Sequence, residues 1–153
     1  MTIRPLLSSD YETVLNMMRL FYASNALLIH PEEGVLRRTL GDAIGENPYL
    51  QGYGFETEEG LAGYGMVAMS YSTEAGGLCA WIEDIYVSPP WREKGFGTAF
   101  LNFVQSRYKD RVVRIRLEAE PENERAMAVY RKAGYEILGY TQLVKEINNE
   151  RTD

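Results

Sequence analysis

The residues from Ile82 to Thr98, IEDIYVSPPWREKGFGT, bring three carboxylates, two cations and a glycine-rich turn into one short stretch. Gly95 and Gly97 let the backbone bend and approach a ligand with no Cβ in the way. Ala99-Phe100-Leu101-Asn102-Phe103-Val104 then reads as a helix. The N–H groups from about Lys94 to Thr98 can therefore converge on one anion, with a hydroxyl from Thr98 and charge from Arg92 and Lys94. The implied ligand is a pyrophosphate. Upstream, Glu83 and Asp84 are neighbours in a β-type run. Neighbours in a strand point to opposite faces, so at most one of them faces a reaction centre unless a bulge intervenes.

Neither common nucleotide signature fits the turn. No Gly-Lys-Ser/Thr follows it, and Phe100 stands where a dinucleotide fingerprint has its third glycine. The strands before it read as hairpins rather than βαβ units. A nucleotide-binding protein would need a metal-holding signature that the chain lacks. Cys79 is the only cysteine and His30 the only histidine. This excludes a disulfide framework and a cysteine metal knot, and leaves a Ser-His-Asp triad without support. No metal is expected.

The elements that must position this stretch follow from periodicity. Thr2 to Leu6 reads as a short strand. Ser8-Ser9-Asp10, with Glu12 three residues after Ser9, suggests a capping box for a helix over about 10–24 that carries Val14, Met17, Met18 and Phe21 on one face. Asn25 to Pro31 is a connector. Glu32 to Ile44 is a second helix with Val35, Leu36, Leu40 and Ile44 on one face. Tyr49 to Phe55, Leu61 to Tyr71 and Leu78 to Val87 are antiparallel strands. The glycines from Gly60 to Gly65 suggest a bulge or a close backbone approach. A helix over about 96–108 is followed by a strand from Val112 to Ala119, with Val113, Ile115 and Leu117 pointing one way and Arg114, Arg116 and Glu118 the other. Asn123 to Lys132 is a helix closed by Gly134. Tyr135 to Ile147 is expected to return as one strand or a tight pair, with a turn at Gly139, before a polar tail from Asn148 to Asp153. The order defines a single α+β domain over 1–153, with a mixed, mostly antiparallel sheet and about four helices.

The bulk numbers fit that reading. The chain has 153 residues, 45% hydrophobic and 25% charged, and a net charge of −6. An acidic balance argues against sequence-independent nucleic-acid binding. The start, MTIRPLLSSDYE, lacks the basic and apolar segments of a signal peptide. No apolar run approaches the ~20 residues of a membrane span. A cytoplasmic protein that engages neither membrane nor nucleic acid is expected.

Two spaced patterns make the anion cradle specific. Val87-x4-Arg92-x-x-Gly95-x-Gly97 resembles the acetyl-CoA-binding motif of the GNAT N-acetyltransferase superfamily. Asn123-x-x-Ala126-x-x-x-Tyr130-x-Lys132-x-Gly134-Tyr135 resembles its second motif. The element order is similar to that acyl-CoA N-acyltransferase fold along essentially the whole chain. The resemblance implies that the strand carrying Ile85, Tyr86 and Val87 splays from the next strand and pairs by its backbone with the pantetheine arm. It implies further that Arg92, Glu93, Lys94, Gly95, Phe96, Gly97 and Thr98 hold the pyrophosphate and that Asn123 contacts the cofactor. Tyr130 would lie near the sulfur, both as a cofactor contact and as the acid that protonates the leaving thiolate. A phenol keeps its proton at neutral pH, which suits that role.

The Glu-Asp pair resembles the diamine and thialysine acetyltransferase branch, which carries a base or amine-binding role onto Glu83, with Asp84 as runner-up. The implied activity is direct acetyl transfer from acetyl-CoA to a primary amine, with a small cationic amine or polyamine as candidate acceptor. Tyr22, Arg37, Arg38, Tyr64 and Tyr71 would border the acceptor. Cys79, early on the central strand, is not assigned as a nucleophile. A non-catalytic acyl-CoA-binding regulatory module of the same fold is the alternative, although such a binder needs neither Tyr130 nor Glu83. A homodimer is an expectation from the family alone.

Overall fold

The computed structural model describes residues 1–24 and 30–147. One five-stranded sheet, in the order β1-β2-β3-β4-β5, runs through the molecule. Its strands are β1 (Thr2–Pro5), β2 (Leu50–Thr57), β3 (Gly60–Ser72), β4 (Gly77–Val87) and β5 (Arg114–Leu117). The first four pair antiparallel and β5 joins β4 in parallel, so the sheet is mixed and mostly antiparallel as expected. The helices are α1 (Tyr11–Tyr22), α2 (Glu33–Ile44), α3 (Phe96–Tyr108) and α4 (Glu124–Lys132). Among the described residues no helix is long and apolar enough to cross a membrane.

Two apolar layers sandwich the sheet. On one face, Val14, Leu15 and Met18 of α1 and Leu36 and Leu40 of α2 pack on Tyr64, Met66 and Tyr86. On the other, Phe96, Phe100, Leu101 and Val104 of α3 pack on Tyr53, Phe55, Val67, Ala80 and Ile82. The Met-Met-x-x-Phe stripe of α1 is thus core. Val35, expected on the apolar face of α2, is exposed instead, and Ala43 is buried there. The glycines of β3 answer to close approach. A Cβ on Gly63 would lie 2.1 Å from the Tyr86 carbonyl oxygen, and one on Gly65 2.3 Å from the Phe100 ring. A bulge also falls between Phe55 and Glu56 of β2 where β3 passes.

Two expectations are corrected. The Ser9–Glu12 capping box does not form, and no side chain caps α1. Asp10 works backwards instead: its carboxylate accepts the Leu7 N–H at 2.8 Å and pairs with Arg4 at 2.7 Å. That bond holds the Asp10 carboxyl below its usual range. Second, Tyr135 to Ile147 forms no strand. Its alternation is strand-like, but a ladder needs an edge in register. Among the described residues, its side chains bond to groups flanking the strands, with Tyr140 Oη donating to Glu74 at 2.7 Å and Gln142 to Glu118 at 2.5 Å. The turn at Gly139 does occur, spanned by Tyr140 N–H to the Leu138 carbonyl at 2.8 Å. The connector over 25–29 and the tail over 148–153 lie outside the described residues.

Candidate active site

The site begins where two strands part. β4 and β5 pair only from Cys79–Arg114 to Ile82–Leu117. β3 stays paired with β4 through Val87. On the β5 side, the backbone of Glu83 to Val87 therefore has no strand partner among the described residues. An open strand edge of this kind accepts an extended ligand by backbone hydrogen bonds. The side chains here are otherwise occupied. Tyr86 is buried in the α1/α2 layer, and Ile85 and Val87 pack on the α3 layer. Only their backbone is available to a ligand.

At the end of β4, Pro89–Trp91 forms a 3-10 turn, and Arg92 Nε donates to the Val87 carbonyl at 3.0 Å. Glu93 adopts φ 65° and Gly95 φ 85°, two left-handed turns that swing the chain into α3. Gly95 is the N-cap, so no side chain covers the helix start. The first-turn N–H groups of Phe96, Gly97 and Thr98 consequently point out without intrahelical acceptors. A Cβ on Gly97 would meet nothing within 4 Å. Neither packing nor its backbone angle demands glycine there. An uncapped helix end with that space kept open fits a phosphate-sized anion. Phe96 itself is core, stacked on Phe55, and offers only its N–H. Lys94 Nζ sits 4.7 Å from the Trp91 ring centroid, and Glu93 pairs with Arg125 of α4 at 2.9 Å.

α4 closes the other side. Asn123 caps it, its Oδ1 accepting the Ala126 N–H at 3.1 Å, which leaves the amide NH2 for a ligand. At the far end, Gly134 (φ 87°) donates to the Arg131 carbonyl and Tyr135 N–H to the Tyr130 carbonyl, each at 3.0 Å. This paired ending fixes the last turn, and the Tyr130 and Tyr135 rings meet edge to face at 6.2 Å. Tyr130 packs against the α3 layer, and burial pushes its phenol up, so it holds its proton more firmly than a free tyrosine.

The carboxylates are arranged by a bulge. Asp84 pairs with Met66, and Ile82 with Val67, leaving Glu83 as an extra residue in β4. Parity flips across it. Ile82 faces the α3 layer, whereas Asp84 faces the α1/α2 layer, where it accepts Tyr22 Oη at 2.7 Å and Tyr64 Oη at 3.0 Å. Asp84 is 3% exposed. Burial raises its carboxyl and the two tyrosine bonds oppose that rise. Glu83 remains accessible to solvent. Its carboxyl is pushed above the usual range by burial first, then by the charges of Asp84 and Glu118. Glu118 escaped the sequence reading. It follows the end of β5 at Leu117, close enough for its charge to act on the Glu83 carboxyl. Cys79 is buried, and burial raises its thiol.

Residues 15–135 match the family model described as Acetyltransferase (GNAT) family, and the chain belongs to that family. It is 32% identical over 106 residues to thialysine N-epsilon-acetyltransferase of Bos taurus, covering 63% of this chain and 62% of that one. The chain thus matches less than two thirds of that relative's length. Among solved structures, a possible acetyltransferase from Clostridium difficile 630 superposes with a TM-score of 0.84 at 19% identity, over 97% of this chain and 98% of that one. The aminoglycoside N-acetyltransferase AAC(6')-Iy in complex with CoA gives 0.78 at 15% identity, over 95% and 93%. These two likenesses speak for the fold.

Proposed function

We propose that the protein is an acetyl-CoA-dependent N-acetyltransferase acting directly on a primary amine. The observation that carries this is the uncapped N-terminus of α3, with open space over Gly97, beside the unpaired β4 edge. The cradle suits a pyrophosphate and the edge suits an amide-bearing arm, and the two are continuous. Acetyl-CoA supplies the activated acetyl thioester. The N–H groups of Phe96, Gly97 and Thr98, with Arg92, Glu93, Lys94 and Gly95 shaping the turn, hold its pyrophosphate. The backbone of Ile85, Tyr86 and Val87 and the free amide of Asn123 orient the rest.

The acceptor amine must lose a proton to become a nucleophile. Glu83 takes it, directly or through one water, because burial and the neighbouring negative charges raise its carboxyl and make it a stronger base than a free one. As the new C–N bond forms and the C–S bond breaks, Tyr130 gives its phenol proton to the departing sulfur and recovers one from solvent. Two carboxylates at the acceptor end, Glu83 and Glu118, favour a cationic amine of small size. The thialysine acetyltransferase likeness and the acidic net charge point the same way. Mass spectrometry of a panel of primary amines incubated with acetyl-CoA should find singly acetylated products. A chain that binds CoA and acetylates none of them would instead be a regulatory acyl-CoA binder.

A homodimer is part of the proposal. β5 is an edge strand, and the strand-like segment after it leaves Ile137, Tyr140, Leu143 and Val144 exposed. An apolar segment next to an open edge favours covering by another copy. Light scattering that returns the 17.4 kDa of one chain would remove it.

A further inference from the structure

The acidic end of the site contains a group that the reaction as proposed does not use. Asp84 is buried and its recorded partners are two phenols, Tyr22 from the last turn of α1 and Tyr64 from β3. Both carboxylate oxygens accept, one from each hydroxyl, and no salt bridge to Asp84 occurs among the described residues. Removing an ion from water without a counter-charge is costly. A neutral or apolar residue would fill the place at lower cost.

The surroundings say what this cost maintains. Phe21 meets Tyr22 at 5.0 Å, Tyr64 at 6.4 Å and Tyr86 at 6.1 Å, closing an aromatic box around the carboxylate. The box spans three elements: the C-terminal end of α1, the middle of β3, and the part of β4 just past its bulge. It leaves no route for a substrate to reach Asp84. Glu83, by contrast, is the bulged residue, with no ladder partner of its own on β3. A bulge re-aims a side chain only as firmly as its flanks are held. On one flank Ile82 is packed under α3; on the other Asp84 is bonded to Tyr22 and Tyr64.

We propose that Asp84, clamped by Tyr22 and Tyr64, is a positioning residue that holds the β4 bulge against the end of α1 and so fixes Glu83 at the acceptor. The inference rests on Glu83 being the acceptor-side carboxylate of the proposed N-acetyltransferase. The groups facing Glu83 are Asp84 beside it, Glu118 across the gap from β5, and Tyr22 from α1. Asp84 therefore has two effects on Glu83: it sets its position, and its negative charge makes protonation easier.

The test uses Asp84→Asn, which keeps size and shape, and Tyr22→Phe, which keeps the ring contact with Phe21. Carboxyl-carbon NMR of the protein without ligand follows the titration of Glu83. In Asp84→Asn the Glu83 midpoint should move to lower pH, while CoA affinity by calorimetry stays unchanged and kcat/KM for the amine falls about tenfold. Tyr22→Phe should lower kcat/KM for the amine in the same direction, again with CoA affinity intact. A Glu83 midpoint that does not move in Asp84→Asn would overturn the proposal. So would a loss of CoA affinity parallel to the loss of amine kinetics, which would mark a general structural role. If Asp84→Asn does not fold, Tyr22→Phe with unchanged amine kinetics overturns it alone. Glu83→Gln separates the underlying reading: a kcat/KM profile that keeps its acid limb there means Glu83 is not the base, whatever Asp84 does to its titration.

Discussion

Ile82 and Asp84 are two residues apart in β4 yet face opposite layers of the molecule. Ile82 is packed under α3, and Asp84 is bonded to Tyr22 and Tyr64 on the α1 side. In a regular strand they would share a face. The extra residue between them, Glu83, is consequently left at the point where β4 leaves β5. The proposed acceptor end of the site is thus made by an irregularity in the strand, and the proposed cofactor end by the regular helix start that follows.

The cradle predicts a clean separation of binding from folding. Gly97→Val should abolish measurable CoA binding by calorimetry while circular dichroism and thermal midpoint stay close to wild type. Its Cβ enters open space, so no native contact is lost. Retained affinity would mean that the phosphates sit elsewhere.

Tyr130→Phe removes one oxygen from a ring that keeps its contact with Tyr135. The expected result is a fall in kcat of ~10²–10⁴, the usual range for a positioned acid, with CoA affinity unchanged. An unchanged kcat would take Tyr130 out of the reaction.

The acid limb of kcat/KM should report Glu83. Burial and the neighbouring Asp84 and Glu118 raise its carboxyl, so its basic form is present above that raised value and is lost as pH falls through it. Glu83→Gln should flatten the limb and lower kcat/KM at neutral pH. A limb that persists unaltered assigns it to the amine or to another group.

Gly63 of β3 makes the closest approach to the site's strand, β4. A methyl there would press on backbone, 2.1 Å from the Tyr86 carbonyl oxygen and 3.1 Å from the Val87 Cα. Gly63→Ala should cost about 1–3 kcal/mol in denaturant titration and weaken CoA binding by shifting the β4 edge. Equal stability would show that β4 can slide at this point.

Much of this was legible in the sequence because it rests on local rules. Gly95, Gly97 and Gly134 announced two helix ends, Asn123 announced a helix start, and the α1 stripe announced a core face. The cradle needs only the order of residues from Val87 to Thr98. What was hidden depends on register. Whether Glu83 and Asp84 share a face is decided by one extra residue opposite Met66 and Val67, which no period-2 pattern reveals. Glu118 comes near Glu83 only because β5 pairs with β4, which joins parts of the chain 35 positions apart. Asp10 outcompeted Ser9 as a capping group because Arg4, from β1, pairs with it. The strand expected over 135–147 is absent, because sequence pattern alone does not secure the register of a ladder.

The central claim joins a cofactor cradle to an amine-activating carboxylate, and release of free thiol from acetyl-CoA across a panel of primary amines tests both at once. Amine-dependent release that is lost in Gly97→Val and reduced in Tyr130→Phe is the predicted result. Tight CoA binding with no release above the amine-free background, for any amine tried, would contradict it.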